Sequence, residues 1–426
     1  MPQIKKLKNG LNVITIPTIG TKAITVMALF PVGSRFENVK LSGASHFVEH
    51  MMFKGTLKRP TYLEISKELD SFGAEYNAFT GKDSTGYYVK INEEKQELAY
   101  DFISDIVFNS TFDKKEMEKE KGVIVEELRM YDDNPIMAID SLYEQTLFGN
   151  DHPLGRDIGG TAKTVKNLTR NELFEYYKKY YTPNNMVLVL AGAIDKKNKK
   201  KFLNYFENIK VKRGKNLQGF KEFKFAKTNK NLKDRVVVKT KKIDQAHVIM
   251  GFPGISYTDK NRFALSVMMS VLGGGMSSRL FVEVREKRGL AYMIRAGADA
   301  YKDVGEVHVQ AGLDPARLKE AFAVIKAELE RISNEPITKK ELKDAKNNLI
   351  GRMTLALEDS SSQASWYAKK FWFGKGLKTP EQIIRELKKV KIEDVQKLAK
   401  NLFDFDKMKV AVIGNLTKQQ ILKMLK

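Results

Sequence analysis

The spacing of hydrophobic and polar positions changes along the chain, and these changes predict the order of strands and helices. Segments rich in β-branched and aliphatic residues, each ended by turn residues, are predicted strands: 11–16, 23–31, 75–79 and 85–91. Segments with helical periodicity lie between and after them: 42–53, 62–72, most of 93–148, and 170–181. The apolar run 184–194 then predicts a buried strand that ends at a glycine turn.

The second half of the chain repeats this order of elements. Its predicted strands are 235–240, 246–253, 290–298, 305–312 and 408–416, and its predicted helices are 260–272, 278–288, most of 315–367, and 392–403. The clearest repeat pairs VLVLAGAI with VAVIGNL, because each follows a similar helix. A second repeat pairs VMALFPVGS with VIMGFPGIS. The repeated order indicates a duplicated domain.

Short groups of strands followed by runs of helices predict an α+β fold. We expect two duplicated domains, each a mainly antiparallel sheet with helices packed on one face. The predicted N-terminal domain spans 1–210, a lysine-rich linker spans 211–234, and the C-terminal domain spans 235–426. A single larger mixed domain is the alternative.

The composition is that of a globular protein, with 42% hydrophobic and 30% charged residues. No apolar run is long enough to cross a bilayer, and the N-terminus reads as a strand without a cleavage site. We therefore expect a soluble, cytoplasmic protein. The chain has no cysteine, so any transition metal must be held by histidine and carboxylate.

The formal net charge of +22 could attract nucleic acid, a membrane surface or acidic substrates. Most lysines, however, are interleaved with carboxylates, as in KKEMEKEK and ITKKELKDAKNN. The dense run DKKNKKKF begins what reads as a surface helix. There is no recognition helix and no patch of aromatic residues among basic ones. We expect neither nucleic acid nor a membrane as a partner.

The segment ASHFVEHMMF contains two of only five histidines in the chain. If Ser42 caps a helix that continues to Phe53, His46 and His50 differ by only about 40° around the axis. Two imidazoles on successive turns can bind one Zn²⁺, and Glu49 can reach a water on that metal. The HxxEH pattern is the inverzincin signature.

The alternative is that both histidines belong to a buried structural helix, since a lone helical histidine is more often structural than a ligand. The flanking residues are apolar, however, and a charged Glu49 among them needs a partner. A zinc site also needs a third protein ligand. None of His152, His247 and His308 lies in a helical pattern with an adjacent acidic residue.

Glutamates of a later helix are the remaining candidates for that ligand. Glu120 and Glu127 are seven positions apart and lie on nearly the same stripe. The apolar run GVIV between them predicts that Glu127 projects inward. Glu126 points about 100° away and is the competing choice. The other carboxylates of this helix fit ordinary surface pairing with lysine.

The segments HFVEHMMFKGT and EKGVIVEELRMYDDNP resemble the M16 metallopeptidase family, and the resemblance extends along essentially the whole chain. The family pattern is HxxEH, then 76 residues, then a glutamate, and here Glu127 follows His50 at that spacing. The resemblance implies that His46, His50 and Glu127 are zinc ligands. It implies that Glu49 is the general base and that Glu120 orients a ligand histidine.

Two further segments resemble the family. AEYNAFTGKDSTGYY is similar to its substrate-edge strand, which implies that Asn77 and Ala78 contact the bound peptide. SSRLFVEVREKRGLAY is similar to the segment that brings an arginine and a tyrosine to the substrate carbonyl, here Arg285 and Tyr292. From the residues alone, these segments read as a polar hairpin, a helix-surface arginine and a strand tyrosine.

The resemblance implies a LuxS/MPP-like fold and a zinc-dependent endopeptidase that hydrolyses extended, unstructured peptides inside a closed chamber. The family closes that chamber from four such domains, whereas this chain has two. We therefore expect a homodimer in which Arg285 and Tyr292 serve the partner's zinc. A heterodimeric or non-catalytic subunit of such a complex is the alternative.

Overall fold

The computed structural model describes residues 2–209, 217, 220, 222–225 and 231–425. They form two compact units. The first unit contains Met1–Arg129, Asp157–Lys221 and Leu355–Leu377, and the second contains Met130–Arg156, Glu222–Thr354 and Lys378–Lys426. The first unit, built mainly from the N-terminal half of the sequence, therefore also contains residues 355–377. The second unit, built mainly from the C-terminal half, also contains residues 130–156. The linker expected over 211–234 lies largely outside the described residues, so that domain boundary stays a prediction.

The helices of the described residues are α1 (Ala44–Met51), α2 (Tyr62–Asp70), α3 (Gln96–Asn109), α4 (Lys114–Asp133), α5 (Pro135–Phe148), α6 (Ala162–Asn167), α7 (Arg170–Tyr180), α8 (Lys196–Asn208), α9 (Arg262–Gly273), α10 (Leu318–Asn334), α11 (Lys339–Ala356), α12 (Ser360–Phe373), α13 (Pro380–Lys389), α14 (Ile392–Leu402) and α15 (Lys418–Met424). Most lie where helical periodicity predicts them. The short α6, α13 and α15 were not predicted, and each begins at a threonine that forms a capping box.

The first unit contains a six-stranded sheet. Its strands are β1 (Gln3–Lys6), β2 (Asn12–Pro17), β3 (Ala23–Phe30), β4 (Glu75–Thr80), β5 (Thr85–Asn92) and β6 (Val187–Gly192). Their order is β1-β2-β6-β3-β5-β4, and only the β2–β6 pair is parallel. Strand β4 is therefore an edge strand, and within the part of the chain that the structure describes no strand pairs with its outer side.

The central strands β3 and β6 are buried on both faces of the sheet. Successive side chains of a strand point to opposite faces, so each of these strands contributes to two cores. On one face, Val26 and Leu188 pack in the core that also contains residues of α1, α3 and α7. On the other face, Met27 and Val189 pack against α12. The predicted layer of helices is present, and α12 adds a cover on the opposite face. That cover was not predicted, because its contacts join positions more than 300 residues apart, such as Thr25 and Ser360.

The second unit contains a five-stranded sheet with the same pairing pattern. Its strands are β7 (Val236–Thr240), β8 (Ala246–Pro253), β9 (Ala291–Ala300), β10 (Gly305–Leu313) and β11 (Lys409–Gly414). Their order is β7-β11-β8-β10-β9, again with one parallel pair, β7–β11. Helix α5 packs on this sheet so closely that a Cβ on Gly251 would lie 2.0 Å from the hydroxyl of Tyr143. The expected duplicated α+β fold is confirmed.

Candidate metal centre

Helix α1 turns its apolar side to the core and leaves its ionisable side chains only partly covered. The residues of the apolar side are fully buried: Phe47, Val48 and Met51. The side chains of His46 and His50 keep 14% and 18% of their surface exposed. They are four positions apart, so they lie one above the other on the same side of the helix. The half-buried Glu49 lies between them in sequence.

The start of α1 differs from the prediction. Ser42 does not cap the helix: Gly43 is at the N-cap position with φ 96°, and no side chain of a cap residue forms a hydrogen bond there. The carboxylate of Glu37 replaces it, accepting hydrogen bonds from the backbone N–H groups of Gly43 (2.8 Å) and Ser45 (2.7 Å). Glu37 is buried, so this cap fixes the start of α1 firmly.

Three atoms that could ligate a metal ion converge beside α1. The Nε2 atoms of His46 and His50 are 3.2 Å apart, and the Oε2 atom of Glu127 lies 3.6 Å and 3.3 Å from them. Ligands of tetrahedral zinc, each about 2.0–2.1 Å from the metal, are about 3.3–3.4 Å from one another. Two imidazoles and a carboxylate at these separations fit a zinc ion without rearrangement.

Helix α4 supplies Glu127 rather than its neighbour Glu126. The side chain of Glu127 is 23% exposed and faces the imidazoles, whereas that of Glu126 is 68% exposed and pairs with Arg129. The expectation for the GVIV run holds only in part. Ile124 is fully buried, but Val123 is 51% exposed, although it lies four positions before Glu127 on nearly the same side of the helix.

Glu120 and Lys54 lie on the side of His50 that faces away from the three converging atoms. The Nδ1 atom of His50 lies 2.9 Å from Oε1 of Glu120, whose Oε2 accepts a bond from Lys54 Nζ at 2.8 Å. Burial opposes ionisation of Glu120, but these two hydrogen bonds outweigh it and hold its pKa below the ordinary value. A carboxylate on Nδ1 fixes the tautomer of His50 so that Nε2 points to the shared ligand position.

The two histidines differ in their affinity for a proton. Burial, helped by the nearby His50, lowers the pKa of His46 to about 4. Burial also acts to lower the pKa of His50, but the carboxylates of Glu120 and Glu127 raise it to about 9. A metal ion bound through Nε2 of His50 would have to displace the proton that His50 holds near neutral pH. The Nδ1 atom of His46 is buried and has no hydrogen-bond partner among the described residues.

Glu49 is held from the sheet side. The hydroxyl of Thr80, the last residue of β4, donates a hydrogen bond to Oε2 of Glu49. Burial raises the pKa of Glu49 above its ordinary value, although this hydrogen bond partly offsets the effect. Thr80 is not predictable from the sequence, because no local spacing connects it to a residue 31 positions away.

Asn77 and Ala78 lie on the free edge of the first sheet. Asn77 is paired with Tyr88 of β5, and no strand of the described residues pairs with the other side of β4. The backbone N–H of Ala78 donates to the Oδ1 atom of Asn77 at 2.8 Å. The outward-facing donor of Ala78 is thus covered by a side chain rather than by a strand.

Arg285 and Tyr292 lie together in the second unit. Arg285 is in a π-helical segment, Phe281–Glu286, where a longer helix had been predicted. Its guanidinium lies 5.2 Å from the ring centroid of Tyr292, at the start of edge strand β9. Tyr292 is 77% exposed. An exposed tyrosine under an arginine presents a hydroxyl and a guanidinium, both hydrogen-bond donors, on one surface.

A second cluster of ionisable residues lies on the sheet of the second unit. The Nδ1 atom of His308 is 2.8 Å from Oε1 of Glu306, which also accepts the backbone N–H of Asp299 at 3.2 Å. Burial raises the pKa of Glu306 to about 7. A helical pattern does not reveal this group, because Glu306 and His308 are neighbours on one face of a strand.

The chain matches two family descriptions in succession. Residues 12–162 match "Insulinase (Peptidase family M16)", and residues 167–349 match "Peptidase M16 inactive domain". A Bacillus subtilis protein named "Uncharacterized zinc protease YmxG" is 35% identical over 400 residues, covering 94% of this chain and 95% of that protein. This chain belongs to peptidase family M16. An uncharacterized zinc protease of Streptomyces coelicolor is 34% identical over 97% of this chain and 90% of its own length.

Solved M16-type structures have the same fold. A protease from Helicobacter pylori superposes with a TM-score of 0.87 at 25% identity, covering 97% of this chain and 99% of that one. A Pseudomonas fluorescens structure described as a peptidase M16 inactive domain also gives 0.87, at 20% identity over 98% of both chains. In the described part of this M16 chain, no helix is long and apolar enough to cross a membrane.

Proposed function

We propose that this M16 protein is a zinc-dependent endopeptidase acting on extended, unstructured peptides. The observation that carries the proposal is the convergence of His46, His50 and Glu127 at 3.2–3.6 Å, with Glu49 beside them on α1. This set offers three protein ligands and a carboxylate, as catalytic zinc sites require. The names of the bacterial relatives, which describe uncharacterized zinc proteases, support it.

The residues of the site have separate proposed roles in the reaction. When bound, zinc acidifies a coordinated water and polarises the peptide carbonyl. Glu49 takes the proton of the attacking water and then delivers it to the nitrogen of the departing amine. Glu120 keeps His50 in the tautomer that directs Nε2 to the metal, and Lys54 keeps Glu120 ionised.

The peptide is proposed to bind as an added strand on β4. An extended backbone can displace the side chain of Asn77 from the N–H of Ala78 and take that hydrogen bond itself. Strand addition depends on an extended backbone rather than on particular side chains. The preferred substrates are therefore unstructured peptides.

Arg285 and Tyr292 are proposed to stabilise the negative charge on the carbonyl oxygen of the substrate. We place them at the metal centre of a second chain, in a homodimer that closes a chamber. Light scattering combined with peptidase assays tests this arrangement. A monomer with full activity would contradict it, and activity that requires a different chain would favour the heterodimeric alternative.

The function is tested by metal analysis of the purified protein and by cleavage of a mixed peptide library, with mass spectrometry of the products. We expect one zinc per chain and cleavage that a chelator abolishes. Glu49→Gln should retain the zinc and lose cleavage, while Glu126→Gln, a matched change at an exposed position, should retain both. Cleavage by Glu49→Gln at the wild-type rate would show that another group is the base.

A further inference from the structure

We propose that Thr80 is a positioning residue for Glu49, holding its carboxylate in the orientation needed for proton transfer. The inference rests on the proposed peptidase function. The hydroxyl of Thr80 donates to Oε2 of Glu49. Among the described residues it is the only hydrogen-bond partner found for the Glu49 side chain. The remaining carboxylate oxygen, Oε1, is left to accept the proton.

The helix that carries Glu49 is anchored at its start. Glu37 binds the first backbone N–H groups of α1 through both carboxylate oxygens and is buried. The same helix packs its apolar side in the core of the first unit. These contacts leave rotation about the side-chain bonds of Glu49 as its main freedom.

The strand end that carries Thr80 is anchored to the segment just before Glu37. The backbone N–H of Ser34 donates to the carbonyl of Gly81 at 3.1 Å, and that of Arg35 donates to the carbonyl of Lys82 at 3.0 Å. A Cβ on Gly33 would lie 2.1 Å from the Gly81 oxygen, so the two backbones are in direct contact. One segment, 33–37, thus fixes both the helix and the strand end.

A hydroxyl donor restricts the rotation of the Glu49 carboxylate. Without a fixed donor, the carboxylate can turn about its side-chain bonds and away from the place of the attacking water. A hydrogen bond from an anchored strand keeps one oxygen in place. The edge strand proposed to bind the substrate therefore also sets the orientation of the base.

The kinetic test compares Thr80→Val, Thr80→Ser and Thr18→Val with the wild type, using a peptide that the wild type cleaves. Thr18→Val is the matched control, because it removes a threonine hydroxyl that donates to Gln363 rather than to Glu49. Thr80→Val should lower kcat about 10–100-fold, a loss typical of a supporting hydrogen bond. Its KM should stay within about twofold and its zinc content should not change. Thr80→Ser and Thr18→Val should remain within about threefold of the wild-type kcat.

A thermal-melting cycle supplies a readout that does not depend on activity. Thr80→Val should lower Tm by on the order of 1–2 °C when Glu49 is present. The same substitution in a Glu49→Ala background should change Tm much less, because the acceptor is already gone. Equal losses in both backgrounds would show that the hydroxyl does not act through Glu49.

The outcomes separate this inference from the proposed function. A wild-type protein that binds zinc but cleaves no peptide overturns both. An active wild type together with a Thr80→Val variant of unchanged kcat overturns the role of Thr80 alone. A low kcat that Thr80→Ser does not restore also overturns it, because the loss would then come from strand packing.

Discussion

The two sheets of this protein have the same strand pairing but carry different chemistry. Each has one parallel pair, continued by antiparallel strands to a free edge, β4 in one and β9 in the other. Strands β3 and β8 occupy corresponding positions in the two sheets. The next α-helix along the chain is α1 after β3 and α9 after β8. Helix α1 carries His46, Glu49 and His50, whereas α9, RFALSVMMSVLG, carries neither histidine nor glutamate.

The buried sides of these helices are alike. Helix α1 buries Phe47 and Val48, and α9 buries Val267 and Met268. Burial of such side chains stabilises the fold by about 1.5–3 kcal/mol each. The difference lies on the other side of each helix, where only α1 has donors for a metal. Fold and chemistry therefore occupy separate sides of one helix, and each can be altered without the other.

The largest expected effect is the difference in zinc affinity and kcat between substitutions of two neighbouring glutamates of α4. Glu127→Gln removes a charged ligand and should lower zinc affinity and kcat by at least about a thousandfold. Glu126→Gln should stay within about twofold of the wild type, because its carboxylate pairs with Arg129 at the surface. Calorimetric zinc titration and steady-state kinetics check both variants. Similar losses in both would show that Glu127 is not a specific ligand.

A smaller effect is expected one step further from the metal. Glu120→Gln should lower zinc affinity about 10–100-fold, because the tautomer of His50 is then less firmly held. Lys54→Met should weaken binding less, since it removes only the cation beside Glu120. Competition with a metal-binding dye measures both constants. If neither variant differs from the wild type, the contact between Glu120 and His50 contributes only to packing.

The second unit should respond to pH through Glu306 and His308, which Asp140 and Asp299 also face. Burial raises the pKa of Glu306 to about 7, so between about pH 5 and 7 the folded state binds more protons than the unfolded state. Burial lowers the pKa of His308, but Glu306 outweighs this and raises it, which acts in the same direction. Stability should therefore fall as the pH rises from about 5 to 8.

The change in the free energy of unfolding over this interval is on the order of 2–3 kcal/mol, measured by urea unfolding at a series of pH values. Glu306→Gln should flatten this dependence. The exposed substitution Glu118→Gln is the control and should leave it unchanged. A stability that rises over the same interval would mean that other groups dominate it.

Much of the fold could be predicted from the sequence, because strands and helices are recorded in local periodicity. Strand β8 was predicted at its observed bounds, and the repeat was visible in the order of elements. The positions of α5 and α12 could not be predicted. Each packs on a sheet built mainly from the other half of the chain, and no local pattern records such a contact.

Within the candidate site, the residues that share one side of the same helix could be predicted. The spacing of His46 and His50 and the choice of Glu127 over Glu126 are consequences of helical geometry. Glu37 and Thr80 could not be predicted, because they reach α1 from a loop and from a strand. Ser42 was the wrong cap for a related reason: a buried carboxylate outside the helix already binds the N–H groups that it would have bound.

The most direct test of the account is X-ray diffraction from crystals of the zinc-loaded protein, recorded at the zinc absorption edge. We predict one anomalous peak per chain, in contact with Nε2 of His46, Nε2 of His50 and a carboxylate oxygen of Glu127. No peak should lie at Glu306 and His308 in the second unit. Absence of the first peak, or a single peak at the second cluster, would contradict the assignment of the metal centre.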